Sequence, residues 1–79
     1  MISKDEYEQI LPHRQALCLF NLTGTWRGKD ESLILADVIR QRQGMRPLSF
    51  TCSGCKAEAL KDLYSFMVNY EDSLENKTP

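Results

Sequence analysis

Apolar residues recur along this chain at helical spacing, and glycine and proline cut the pattern into blocks. The first block opens with Ser3-Lys4-Asp5-Glu6, the form of a capping box. Ser3 can accept from the Glu6 amide while the Glu6 carboxylate reaches back to the Ser3 amide. Tyr7, Ile10 and Leu11 then fall on one face. Pro12 lacks an amide donor, so it ends this helix or sits in the first turn of the next. His13–Leu22 carries Ala16, Leu17, Leu19, Phe20 and Leu22, apolar on more than one side, as in a centrally packed helix. Gly24 is its stop.

Thr23–Lys29 reads as a loop in which two glycines flank Trp26. Asp30 is a good cap for a third helix over Glu31–Gln43, whose expected stripe is Leu35, Val38 and Ile39, widened by Leu33 and Ile34. Gly44 ends it. Pro47 biases Arg46 toward extended backbone, and Leu48 and Phe50 are spaced to share one side of a short strand-like segment. Ser53 can cap a fourth helix reaching about Leu74. Its stripe is Leu60, Leu63, Tyr64, Met67, Tyr70 or Glu71, and Leu74. Residues 75–79 read as a frayed tail. The pattern predicts an all-α fold: one domain, 1–79, a compact bundle of three to four short helices with a Trp-containing loop and an extended segment before the last helix.

Composition agrees with a folded domain: 42% of residues are hydrophobic and 27% charged. A 79-residue chain builds a modest core and often relies on a staple, a metal or a partner subunit. The net charge of −1 gives no global pull toward nucleic acid or anionic lipid. Its distribution is uneven, with seven basic and four acidic residues between Arg27 and Lys61. The longest apolar run, Ala16–Phe20, falls far short of the roughly 20 residues that cross a bilayer. No export signal is evident at the N-terminus, so the expected location is the cytoplasm, where cysteines stay reduced.

The most specific chemical feature is Cys52-Ser53-Gly54-Cys55 at the entry to the last helix. Two thiols at this spacing can grip one metal ion or close a small disulfide ring, and a helix N-terminus favours the thiolate. Structural zinc takes four ligands, and Cys52, Cys55, Cys18 and His13 are the one Cys3His set the chain can supply. Against it, His13 and Cys18 sit about 140° apart on a continuous helix, and Cys18 lies in an apolar run where cysteine serves as core. Dithiol redox chemistry normally adds a βαβ setting that is missing from this pattern. The plainer reading of the CxxC is a tight helix-entry turn.

Trp26 reads first as a lid on the core and second as a recognition anchor. Trp26 with Arg27, Lys29, Arg40, Arg42 and Arg46 is the candidate partner-binding set; on single-stranded nucleic acid the ring would stack and the cations meet phosphates. No nucleophile, base and orienting group are spaced to suggest catalysis. The leading expectation is therefore a non-enzymatic interaction or accessory module, binding another protein or itself and needing no cofactor. A nucleic-acid-binding accessory protein using residues 27–61, and a zinc-stabilised or redox domain, are the alternatives. A membrane partner is not expected.

Overall fold

The computed structural model describes residues 2–47 and 53–76. They form α1 (Lys4–Ile10), a 3-10 turn (Leu11–His13), α2 (Arg14–Thr23), α3 (Asp30–Arg42) and α4 (Ser53–Asn76). The fold is mostly helical, with no strand among the described residues. None of the helices described is long and apolar enough to cross a membrane. The segment expected to be extended, 48–52, lies outside the described residues, as does the end of the tail.

The local signals act as the residues demand. At α1, the Glu6 amide donates to Ser3 Oγ (3.2 Å) and the Ser3 amide to Glu6 Oε1 (2.9 Å), closing the capping box. The Pro12 region neither stops the chain nor starts a new direction abruptly. Pro12 sits early in the 3-10 turn, where its missing donor is harmless, and the Arg14 amide donates to the Leu11 carbonyl to carry the helix into α2. Gly24 adopts φ +75° just past α2, and its amide donates to the Phe20 carbonyl (2.8 Å). Gly44 does the same for α3 at φ +82°, with the Met45 amide reaching the Arg40 carbonyl (2.9 Å) in a Schellman arrangement. The start of α3 differs by one residue from expectation. Lys29 holds the cap position with no side-chain cap, and Asp30 and Glu31 fall in the first turn, where their charge opposes the helix dipole's positive end.

The core gathers Ile10, Leu17, Phe20, Leu33, Ala36, Ile39, Ala59, Leu60, Leu63 and Met67 with Ile2. Helix α4 is the central member. It packs on α3 most extensively, on α2 next, and also on α1. Ala36 on α3 and Ala59 on α4 are both fully buried, which lets backbones approach closely. Two sequence expectations are corrected here. Helix α3 buries Ser32, Leu33, Ala36 and Ile39 rather than a stripe centred on Val38. Helix α2 buries Leu17 and Phe20 but leaves Leu22 80% exposed, so it lies at the margin and not at the centre. The physical reason lies in the shape. The protein extends 45 × 28 × 17 Å, and its thinnest dimension accommodates about two helices stacked at 8–10 Å. In so thin a body a peripheral helix keeps one side in solvent, whatever its composition.

Candidate functional site

Three places concentrate the chemistry of this chain. The first is the 3-10 turn that holds Pro12. It sets His13 at the junction of the 3-10 turn and α2, where Nδ1 shares a 2.6 Å hydrogen bond with Ser32 Oγ of α3. Ser32 is fully buried, so His13 satisfies a hydroxyl that would otherwise be stranded in the core. A serine acting as nucleophile must be reachable by substrate. This one is not, and the pair joins α3 to the 3-10 turn. Beside it opens a shallow cleft of about 510 Å³ bordered by Gln15, Leu19, Arg27, Lys29 and Glu31. Arg27 and Lys29 are exposed on its rim.

The second place is a polar cluster joining α1, α2 and α4. The Tyr7 hydroxyl donates to Glu71 Oε2 (2.6 Å), and Arg14 donates from Nε to the same oxygen (3.1 Å) and from Nη2 to Oε1 (3.4 Å). The hydrogen bond from Arg14, seconded by that from Tyr7, holds the Glu71 carboxyl below its ordinary range against an opposing effect of burial. Bonding to the carboxylate and burial raise the Tyr7 phenol. The Arg14 guanidinium is raised by the same carboxylate. Tyr7 also stacks on Tyr70, with centroids 4.6 Å apart. The residues are satisfied by one another, which is the signature of a clamp.

The third place is the outer side of α3. Ile34 (55% exposed) and Val38 (50%) stand one helical turn apart on the same stripe. Asp30 and Glu31 lie at its N-terminal end, and Arg42 and Arg46, all exposed, at or beyond its C-terminal end.

The residues singled out from sequence are distributed as follows. Trp26 is half-buried, edge-on to Phe20 (centroids 6.1 Å apart) and packed against the core. Gly28 matters to it for space: a Cβ there would overlap the indole ring. The indole Nε1 is buried without an acceptor among the described residues. Arg40 is largely buried, its Nε 3.1 Å from Asp62 Oδ2. That N–H is not directed at any acceptor among the described residues, so the contact is Coulombic and not a formed hydrogen bond. Arg42 Nη1 pairs with Glu6 Oε2 at 2.9 Å, tying the end of α3 to the capping box of α1. Arg27, Lys29 and Arg46 remain exposed. The structure thus brings Arg27 and Lys29 together and engages Arg40 and Arg42 internally.

Of the cysteine set, Cys18 and Cys55 are half-buried against the core and Cys52 lies outside the described residues. Among the described residues no three His, Cys, Asp or Glu side chains gather into a group able to hold a metal ion. Sequence reasoning missed the outward stripe of α3, although a signal existed. Leu33, Ile34, Leu35, Val38 and Ile39 are more apolar residues than one buried face of a 13-residue helix uses. No protein-family model, curated protein or solved structure matches the chain.

Proposed function

We propose that this protein is a non-enzymatic interaction module, a small accessory bundle of three helical rods that acts by docking on a protein surface. The rods are the α1–α2 unit, joined through the 3-10 turn, α3 and α4. The observation that carries the proposal is the aliphatic pair Ile34 and Val38, held in solvent by a helix whose opposite face is fully buried. Single exposed apolar residues are ordinary, but aligned ones on a rigid helix form the anchor pattern of helix-mediated recognition. Leu19 and Leu22 on α2 add a second exposed pair. The internal pairing of Arg40 with Asp62 and of Arg42 with Glu6 favours this reading over nucleic-acid binding, because paired cations neutralise phosphates less well.

The test is site-specific photo-crosslinking in producing cells, with a photoreactive amino acid placed at position 34 or at Glu8, an exposed polar control on α1. Discrete adducts at position 34 and none at position 8 are expected. The same absence of adducts at both positions sinks the proposal.

A further inference from the structure

The cleft beside the 3-10 turn is where unpaired cations, a ring nitrogen and an apolar wall meet. It holds about 510 Å³, within the range of small-molecule sites. Its border is drawn from the 3-10 turn, α2, the loop that follows Trp26 and the start of α3. A second hollow of about 280 Å³ shares Leu19 and Arg27 with it, so the two run together beside α2. We infer that this cleft binds a phosphate monoester carried on a small organic body. The site includes neither Ile34 nor Val38 and goes beyond the docking surface on α3.

Ser32 sets the polarity of the site from behind. It is fully buried, and a buried hydroxyl hydrogen needs an acceptor. Among the described residues the partner of Ser32 Oγ is His13 Nδ1, at 2.6 Å. The hydroxyl therefore donates to Nδ1, and the neutral ring carries its own hydrogen on Nε2. In the imidazolium Nε2 is a donor as well. His13 borders the cleft, so the ring nitrogen left to it is a donor in either state. Core packing fixes the tautomer that suits an anion.

Arg27 and Lys29 border the same cleft, and neither has an ion-pair or hydrogen-bond partner among the described residues. A guanidinium fork, an ammonium and an imidazole N–H thus supply donors of three geometries. A phosphate monoester presents three terminal oxygens and a charge of about −1.5 to −2 near neutral pH. A carboxylate presents two oxygens and a single charge. The donor set fits the first better. Pro12, Ala16 and Leu19 give the cleft an apolar wall for the organic part. Glu31 also borders it and opposes an anion, which leaves the two cations ahead by one charge. An open cleft of this balance holds a ligand of about ten non-hydrogen atoms in the millimolar range.

NMR titration of the isotope-labelled full chain with phenyl phosphate, at constant pH and ionic strength, decides it. Saturable shifts are expected at His13, Gln15, Arg27, Lys29 and Glu31, with weaker binding of benzoate and of inorganic phosphate. Arg27→Gln and Lys29→Gln should each weaken binding about tenfold, with circular dichroism unchanged because both side chains are exposed. Lys4→Gln, which removes an exposed cation that does not border the cleft, should leave binding as it is. Glu31→Gln should tighten it roughly twofold. The imidazole nitrogen shifts of the free protein should place the hydrogen of neutral His13 on Nε2. The inference is overturned by a chain that shows no saturable shift up to about 20 mM phenyl phosphate. Benzoate or inorganic phosphate binding as tightly as phenyl phosphate overturns it too. So does binding indifferent to both Arg27→Gln and Lys29→Gln, or a neutral His13 protonated on Nδ1.

Discussion

At the scale of single residues, the Tyr7–Glu71–Arg14 cluster decides how the first helical rod is held to the end of α4. Glu71 is ionised in the fold down to a lower pH than in the unfolded chain. Its contribution is present above the ordinary carboxylate range and is lost as pH falls through its depressed folded-state value. The Tyr7 phenol is shifted the opposite way. Its contribution is complete below the ordinary phenol range and disappears as pH rises through its raised folded-state value. Tyr7→Phe removes the donor to Glu71 and should lower stability by about 1 kcal/mol. Glu71→Gln should remove the acid-side loss in this cluster, which a urea melt series across pH would register as a flatter dependence as pH falls below the ordinary carboxylate range. A variant as pH-sensitive as the parent would mean that other carboxylates control the acid limb.

Trp26 offers a second residue-scale test, because it is the chain's one tryptophan. Gly28→Ala places a methyl where the indole lies, so the ring must leave its seat against Phe20. Tryptophan emission should shift to the red and become accessible to a soluble quencher. An unchanged spectrum would show that the loop adjusts and the ring stays.

At the scale of elements, what was legible in the sequence is what is settled within four or five residues. The Ser3–Glu6 capping box, the stops at Gly24 and Gly44, and the Leu60–Leu63–Met67 stripe of α4 all appear as their local pattern implies. The Gly24 stop can be tested in isolation. Its φ of +75° disfavours any Cβ, yet nothing lies within 4 Å of where that Cβ would be. Gly24→Ala should therefore destabilise by about 1 kcal/mol through backbone strain alone. Gly24→Asn should cost less, since asparagine tolerates the left-handed region. Equal losses would point to a contact effect instead. What could not be read is what depends on a distant partner. The rotational setting of α3 is fixed by its packing on α4, and five consecutive or near-consecutive apolar residues left several settings open. The Tyr7–Glu71 bond spans 64 positions and the His13–Ser32 bond 19, and neither leaves a mark in local periodicity. The candidate site suffers most, because whether Arg40 and Arg42 are available or engaged depends on Asp62 and Glu6.

At the scale of the whole molecule, thinness connects the core to the proposed function. The radius of gyration, 12.4 Å, is close to the about 11.6 Å expected for a chain of this length, so the helices are packed and not splayed. A domain of this size has a total stability of roughly 4–12 kcal/mol. Its few fully buried side chains each hold a large share of that, while equally apolar neighbours outside the core hold almost none. Ile39 and Val38 make the contrast within one helix: adjacent in sequence, one is 1% exposed and the other 50%. Ile39→Ala should destabilise by about 3 kcal/mol and lower the melting midpoint by roughly 10–25 °C. Val38→Ala, measured on dilute protein, should change stability by less than about 0.5 kcal/mol. Thermal melts of both variants on dilute protein separate these effects. Should Val38→Ala be as damaging as Ile39→Ala in dilute solution, the outer stripe would belong to the core, and α3 would have no free face to offer a partner.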